Sequence, residues 1–95
     1  MKFTEEQRKI MLNALDKYGV AAQDDIAIEE MSELTKAIIK GRRYNNSDTY
    51  ENLCEELADV FIMCEQILMS LDKDKVQSYI DAKLERLNER LGETK

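Results

Sequence analysis

Apolar side chains recur every three or four residues along most of the chain, and the recurrence breaks at three places: Tyr18-Gly19, Gly41 to Ser47, and Leu71-Asp72. That spacing is helical and predicts four amphipathic helices. The first spans about Glu5 to Lys17, with Ile10, Met11, Ala14 and Leu15 on one face. Thr4 and Gln7 have the form of a capping box at its start, and Gly19 is a suitable C-cap. The second helix starts at Ala21 or Ala22 and runs to Lys40, closed by Gly41, with Lys36 and Lys40 in its last turn. Its main apolar stripe is Ala27, Met31, Leu34 and Ile38. The polar, basic stretch from Arg42 to Ser47 reads as a loop, with Ser47 or Asp48 as the next N-cap and Asp48 to Glu51 as a candidate capping box. The third helix covers about Thr49 to Leu71, with Leu53, Leu57, Val60, Cys64, Ile67 and Leu71 as its core row. Asp72 caps a fourth helix from about Lys73 to Leu91, ended by Gly92, whose apolar row is Val76, Ile80, Leu84, Leu87 and Leu91. Four antiparallel helices with short connections make an all-α helical bundle, here a single domain over the whole chain.

Beside each of the two central apolar rows lies a second row of a different kind. On the second helix it reads Ile26, Glu30, Glu33, Ala37, and on the third Asn52, Glu56, Asp59, Met63. The carboxylates interrupt rows that have apolar residues at their ends, which a solvated acidic face would not normally do. Glu30 with Glu33, and Glu56 with Asp59, each project from one helical face about a turn apart. Two such helices packed together face four carboxylates into one place. Like charges that close repel and raise one another's pKa unless a multivalent cation sits among them.

Composition narrows the class. The chain has 95 residues, no proline, three glycines and 36% charged residues, which suits helices. A chain this short buries only about 60 to 65% of its unfolded surface, so assembly into an oligomer is expected. The formal net charge of -6 disfavours a nucleic acid polymer or a membrane surface as partner, since both are recognised largely through lysine and arginine. No run approaches the length of a membrane span, and Met1 to Glu6 lacks the apolar core of a signal peptide, so a cytoplasmic location is expected. Cys54 and Cys64, ten positions apart on one predicted helix, are too far apart along its axis to bridge there. They read as reduced thiols packed among apolar groups.

The carboxylate set suits Mg2+, with Mn2+ as a substitute, because hard divalent ions prefer oxygen ligands and keep waters that a substrate phosphate displaces. A metal-free acid/base pair of the glycosidase type would need a sugar cleft rich in aromatics, whereas aromatics are 6% here and tryptophan is absent. The chain contains no histidine, which removes the Glu-x-x-His motif of di-iron bundles and histidine-based zinc catalysis.

The stretches IEEMSELTKAI and ENLCEELADVFIMCEQI resemble the MazG-like branch of the all-α nucleoside triphosphate pyrophosphohydrolases, whose signature is EExxE, a spacer of some two dozen residues, then ExxD. The resemblance is strong over about Ile26 to Leu68 and looser over the rest of the chain, whose length is like that of short single-domain members found in phages and prophages. It implies an all-α nucleoside triphosphate pyrophosphatase-like bundle completed by oligomerisation. It also implies hydrolysis of a nucleoside triphosphate between the α and β phosphates, giving a monophosphate and pyrophosphate.

Position by position, the resemblance implies that Glu30, Glu33, Glu56 and Asp59 hold Mg2+. Glu29 adds a ligand or orients the attacking water, and Glu55 flanks the site. Glu29 or Glu33 is the candidate proton acceptor for that water. Lys36, Lys40, Arg42 and Arg43 near the end of the second helix, and Lys83, Arg86 and Arg90 on the fourth, are candidates to meet the triphosphate. Family habit favours Lys83 and Arg86. Phe61, Tyr44, Tyr50, Tyr79 and Asn52 are available to contact a base. Little of the chain remains after the fourth helix to close a nucleotide pocket, so a homodimer or homotetramer is expected to complete the site. The rival expectation is a helical module that binds nucleotide or metal without turnover.

Overall fold

A computed structural model describes residues 2–93, and among these residues all regular structure is helical. Four helices follow one another: α1 (Glu5–Tyr18), α2 (Val20–Arg43), α3 (Ser47–Met69) and α4 (Lys73–Glu93).

The predicted start of α1 is present in full. Gln7 N–H donates to Thr4 Oγ1 at 3.0 Å and Thr4 N–H donates to Gln7 Oε1 at 2.9 Å. At its end Gly19 adopts φ +87° and its N–H donates to Leu15 O at 2.9 Å. That conformation is open to glycine and strained for other residues, and it lets α2 begin at once in a new direction. Asp72 caps α4 as expected, its Oδ1 accepting from Lys75 N–H at 3.1 Å.

Three boundaries differ from the pattern. Gly41 does not close α2; the helix runs on through Arg42 and Arg43, where Tyr44 N–H still donates to Lys40 O at 2.7 Å. Gly92 likewise lies inside α4. The N-cap of α3 is Asn46, whose Oδ1 accepts from Thr49 N–H at 3.0 Å while Asn46 N–H donates to Thr49 Oγ1 at 3.2 Å. This box uses Asn46 and Thr49 where the sequence offered Ser47 or Asp48 with Glu51, because a turn of only a few residues must reverse the chain before the helix can start.

α2 and α3 form the main packed pair, an antiparallel hairpin, and α1 lies against both with a much smaller contact. Gln66 Nε2 donates to Met11 O at 3.1 Å in the interior, and Arg8 Nε lies 3.4 Å from Glu65 Oε2. These two links fasten α1 to α3. α4 makes no comparably extensive contact with any other helix, so the described chain is a three-helix unit with a fourth helix running from it.

The seam of the hairpin departs from the apolar rows expected from the sequence: on α2 it keeps Ala27 and Leu34 of the expected stripe but not Met31 and Ile38, and on α3 it takes the neighbouring row. It follows Gln23, Ala27, Glu30, Leu34, Ala37 and Gly41 on α2, and Asn52, Glu56, Asp59, Met63 and Gln66 on α3, all buried or half-buried. Alternating steps of four and three keep these residues on one line, as in a coiled coil. Small side chains at Ala27 and Ala37 allow the helices to approach closely along it. Larger residues of the expected core rows flank the line instead: Met31 and Ile38 are each 42% exposed and Leu57 39%, while α3 ends at Met69 and leaves Leu71, 54% exposed, beyond it. The apolar row of α4 is also open, with Ile80, Leu84 and Leu87 exposed. Cys54 and Cys64 are free and exposed, not packed in a core. No helix among the described residues is long and apolar enough to cross a membrane.

Candidate metal centre

Because the seam follows the carboxylate rows, it brings acidic groups from both helices to its middle. Glu30 of α2 and Glu56 and Asp59 of α3 each present a carboxylate oxygen such that the three oxygens lie within 4.8 Å of one another. All three residues are half-buried. The hairpin geometry produces this meeting: Glu30 and the Glu56/Asp59 pair stand at matched distances from the turn at residues 44–46, so antiparallel pairing sets them opposite each other.

The electrostatics are those of an uncompensated anionic site. Desolvation, followed by the charge of Asp59 and a carboxyl contact with it, raises Glu30 above the ordinary carboxylate value of 4.5, with Glu56 and Glu33 adding to the rise. Glu56 is raised from 4.5 by desolvation first, then by Asp59, Glu33 and Glu55. Among the described residues no lysine or arginine pairs with Glu30, Glu56 or Asp59. Three carboxylates this close could hold a hard divalent cation such as Mg2+ or Mn2+, which needs oxygen donors and no histidine.

The fourth expected ligand stands differently. Glu33 is exposed and its Oε1 lies 3.4 Å from Lys36 Nζ, an ion pair within one helical turn. Its charge still acts on both Glu30 and Glu56, so it borders the centre. Glu29 is exposed on α2 beyond Glu33. Glu55 is felt at Glu56, as its expected flanking place implies.

The candidate phosphate-binding cations are spread out. Lys36 is already engaged by Glu33. Arg43 is exposed at the last residue of α2, about 20 Å along the helix from Glu30 at 1.5 Å per residue. Lys83 and Arg86 are exposed on α4, which borders α3 only at a crevice lined by Cys64, Leu68, Val76 and Ile80 and makes no extensive contact with the hairpin, and neither cation pairs with a carboxylate of the cluster.

Sequence reasoning passed over two polar members of the same seam, Gln23 and Gln66, which are 6% and 4% exposed. Gln66 Oε1 is buried without a hydrogen-bond partner, while its amide nitrogen serves Met11 O. The signal was available: Gln23 stands four residues before Ala27 and Gln66 three after Met63, continuing the same alternation of steps.

The fold and the centre together define a class, a helical chain with a three-carboxylate cluster in an antiparallel seam. Comparison with protein families, curated proteins and solved structures found no match.

Proposed function

We propose that this chain is a divalent-metal-dependent nucleoside triphosphate pyrophosphohydrolase of the MazG-like kind, acting as a dimer or larger homo-oligomer. The observation that carries the reading is the meeting of Glu30, Glu56 and Asp59 across the hairpin with no cationic partner. These are three of the four acidic positions that the EExxE and ExxD resemblance marks.

In this reading Glu30, Glu56 and Asp59 hold the metal, with Glu33 within reach once it leaves Lys36. The bound ion supplies charge neutralisation for the triphosphate oxygens and acidification of a coordinated water. The chain's own groups do the rest. Glu33 or Glu29, both exposed on α2, accepts the proton of the attacking water. Lys36 stands beside Glu33, where it can meet a phosphate oxygen after exchanging partners, and Arg43, Lys83 and Arg86 supply cations from further away.

The test of the bond cleaved is product analysis by phosphorus NMR after incubation with a nucleoside triphosphate and Mg2+. Monophosphate with pyrophosphate is the expected pair, and diphosphate with inorganic phosphate contradicts the reading. A rate comparison at saturating Mg2+ assigns the base: Glu29→Gln or Glu33→Gln lowers turnover by about 10²-fold or more if that group takes the proton. Unchanged turnover in both removes the two residues from the role.

One observation favours a second reading, a module that binds metal or nucleotide without turnover. Neither Lys83 nor Arg86 pairs with a carboxylate of the cluster. Metal-dependent nucleotide binding with no product at all would select it.

A further inference from the structure

The carboxylate cluster works against the packing that creates it. Glu30, Glu56 and Asp59 meet with no cationic partner among the described residues, and like charges this close push α2 and α3 out of the register in which they face each other. The apolar members of the seam, Ala27, Leu34, Ala37 and Met63, resist this weakly, because apolar contact is non-directional and accepts more than one register. The turn at residues 44–46 pins one end of the hairpin, but Glu30 lies about 20 Å along α2 from that end.

At the other end stand Gln23 and Gln66. Gln23 is seven residues before Glu30 and Gln66 seven after Asp59, so two turns further from the hairpin turn they repeat the same relation across the seam. They are the polar side chains that are fully buried among the described residues. The Gln66 amide has one orientation: Nε2 donates to Met11 O at 3.1 Å, and since a carbonyl only accepts, Oε1 must face elsewhere. That oxygen is buried and has no hydrogen-bond partner among the described residues. An open buried acceptor is costly, and more so opposite an apolar residue than opposite an amide able to donate. In the observed register Gln66 shares its layer with Gln23, which carries such a donor. A slip of one turn sets Gln66 against Ala27 and Glu30 against Met63, and the opposite slip carries Gln66 to the first residue of α2, Val20. Either slip separates the two amides. A polar pair in an otherwise apolar seam is a means by which paired helices fix their register, at some cost in stability.

We propose that Gln23 and Gln66 are positioning residues, a buried polar lock that holds α2 and α3 in the register where Glu30 faces Glu56 and Asp59, and that ties this register to α1 through Met11. The lock serves the centre that the proposed function reads as a metal site, and rests on that reading only for its metal-binding readout.

Two of the five methionines report on the lock. Met63 lies in the seam between Asp59 and Gln66, Met11 supplies the carbonyl, and both are buried. Carbon-13 methyl NMR of methionine-labelled protein in EDTA is expected to show one narrow Met63 resonance in the wild type. Gln66→Leu leaves no orphaned group, because Met11 O keeps its partner within α1. Its helical circular dichroism and Tm are therefore expected to hold, while Met63 splits or broadens and Met11 shifts. Gln23→Leu is expected to split or broaden Met63 and to leave Met11 in place. Each variant is expected to bind Mn2+, followed by water-proton relaxation, at least about tenfold more weakly than the wild type. A single narrow Met63 resonance in both variants overturns the proposal, as does a Met63 resonance already split in the wild type. Split Met63 with unchanged Mn2+ affinity overturns the positioning role. Failure of both variants to fold also overturns it, since the pair then supplies stability and not register. A wild type that binds no Mn2+ contradicts the metal reading, and the Met63 resonance still decides the lock.

Discussion

At Glu30 and Glu56, burial and neighbouring carboxylates act in the same direction. Both raise the pKa above 4.5, so between 4.5 and the raised values the folded state holds protons that the unfolded state has released. Stability of the metal-free protein therefore falls as pH rises through that window, the reverse of the usual carboxylate behaviour. Thermal unfolding in EDTA is expected to show a higher Tm near about pH 5 than near pH 7. Mg2+ or Mn2+ should close that gap, since a ligand at 100 times its Kd adds about 2.7 kcal/mol of stability. Glu56→Gln and Asp59→Asn should each raise the Tm in EDTA at neutral pH and reduce the gain from metal. A Tm independent of both pH and metal would show that the three carboxylates are no more than a solvated patch. The acidic residues of this cluster were legible in the sequence because they interrupt apolar rows. The exclusion of Glu33 from it was not, since a residue three positions from Glu30 shares its face only approximately, and the choice between the cluster and Lys36 is made by side-chain geometry.

At the scale of elements, glycine does two opposite things in this chain. Gly19 sits at φ +87° between α1 and α2, and a Cβ there is strained although nothing lies within 4 Å of it. Gly41 is helical, and an added Cβ meets nothing within 4 Å. Gly19→Ala is therefore expected to destabilise by about 1 to 3 kcal/mol, whereas Gly41→Ala should stabilise by up to about 1 kcal/mol through helix propensity. Urea unfolding of the two variants checks both signs, and a stabilising Gly19→Ala would contradict the turn. From sequence the two glycines look alike, each following a helical run that ends in Lys or Tyr; the structure separates them by the positive φ of Gly19 and by the bond from Tyr44 N–H to Lys40 O that carries α2 past Gly41. The existence and order of the four helices were legible for the opposite reason, because long periodic segments with caps at Thr4 and Asp72 leave few alternatives. The seam was harder. Ala37 and Ala27 give weak hydrophobic signals beside Met31 and Ile38, yet they are 1% and 2% exposed, because small residues set where two helices can come close. Ala37→Leu should accordingly cost about 1 to 3 kcal/mol by overpacking, measured by the same unfolding curves.

For the whole molecule, the carboxylate centre and the open apolar surfaces belong to one design problem. A chain of this size cannot both line an acidic seam and cover every apolar row, and this one spends its closest packing on the seam. The rows beside it and the stripe of α4 are left for other contacts, and with them the cations Lys83 and Arg86. The sequence shows that the rows exist but not which of them faces which, since periodicity fixes the face of each helix and says nothing of its neighbour. Whether the centre performs the proposed reaction is tested most directly by pyrophosphate release from a panel of NTPs and dNTPs, with Mg2+ and with EDTA, for the wild type and for Glu56→Gln. Release that needs the metal and falls by several orders of magnitude in Glu56→Gln is the predicted result. Pyrophosphate release that is indifferent to EDTA and to Glu56→Gln, or no release from any member of the panel by folded protein with Mg2+ bound, would contradict it.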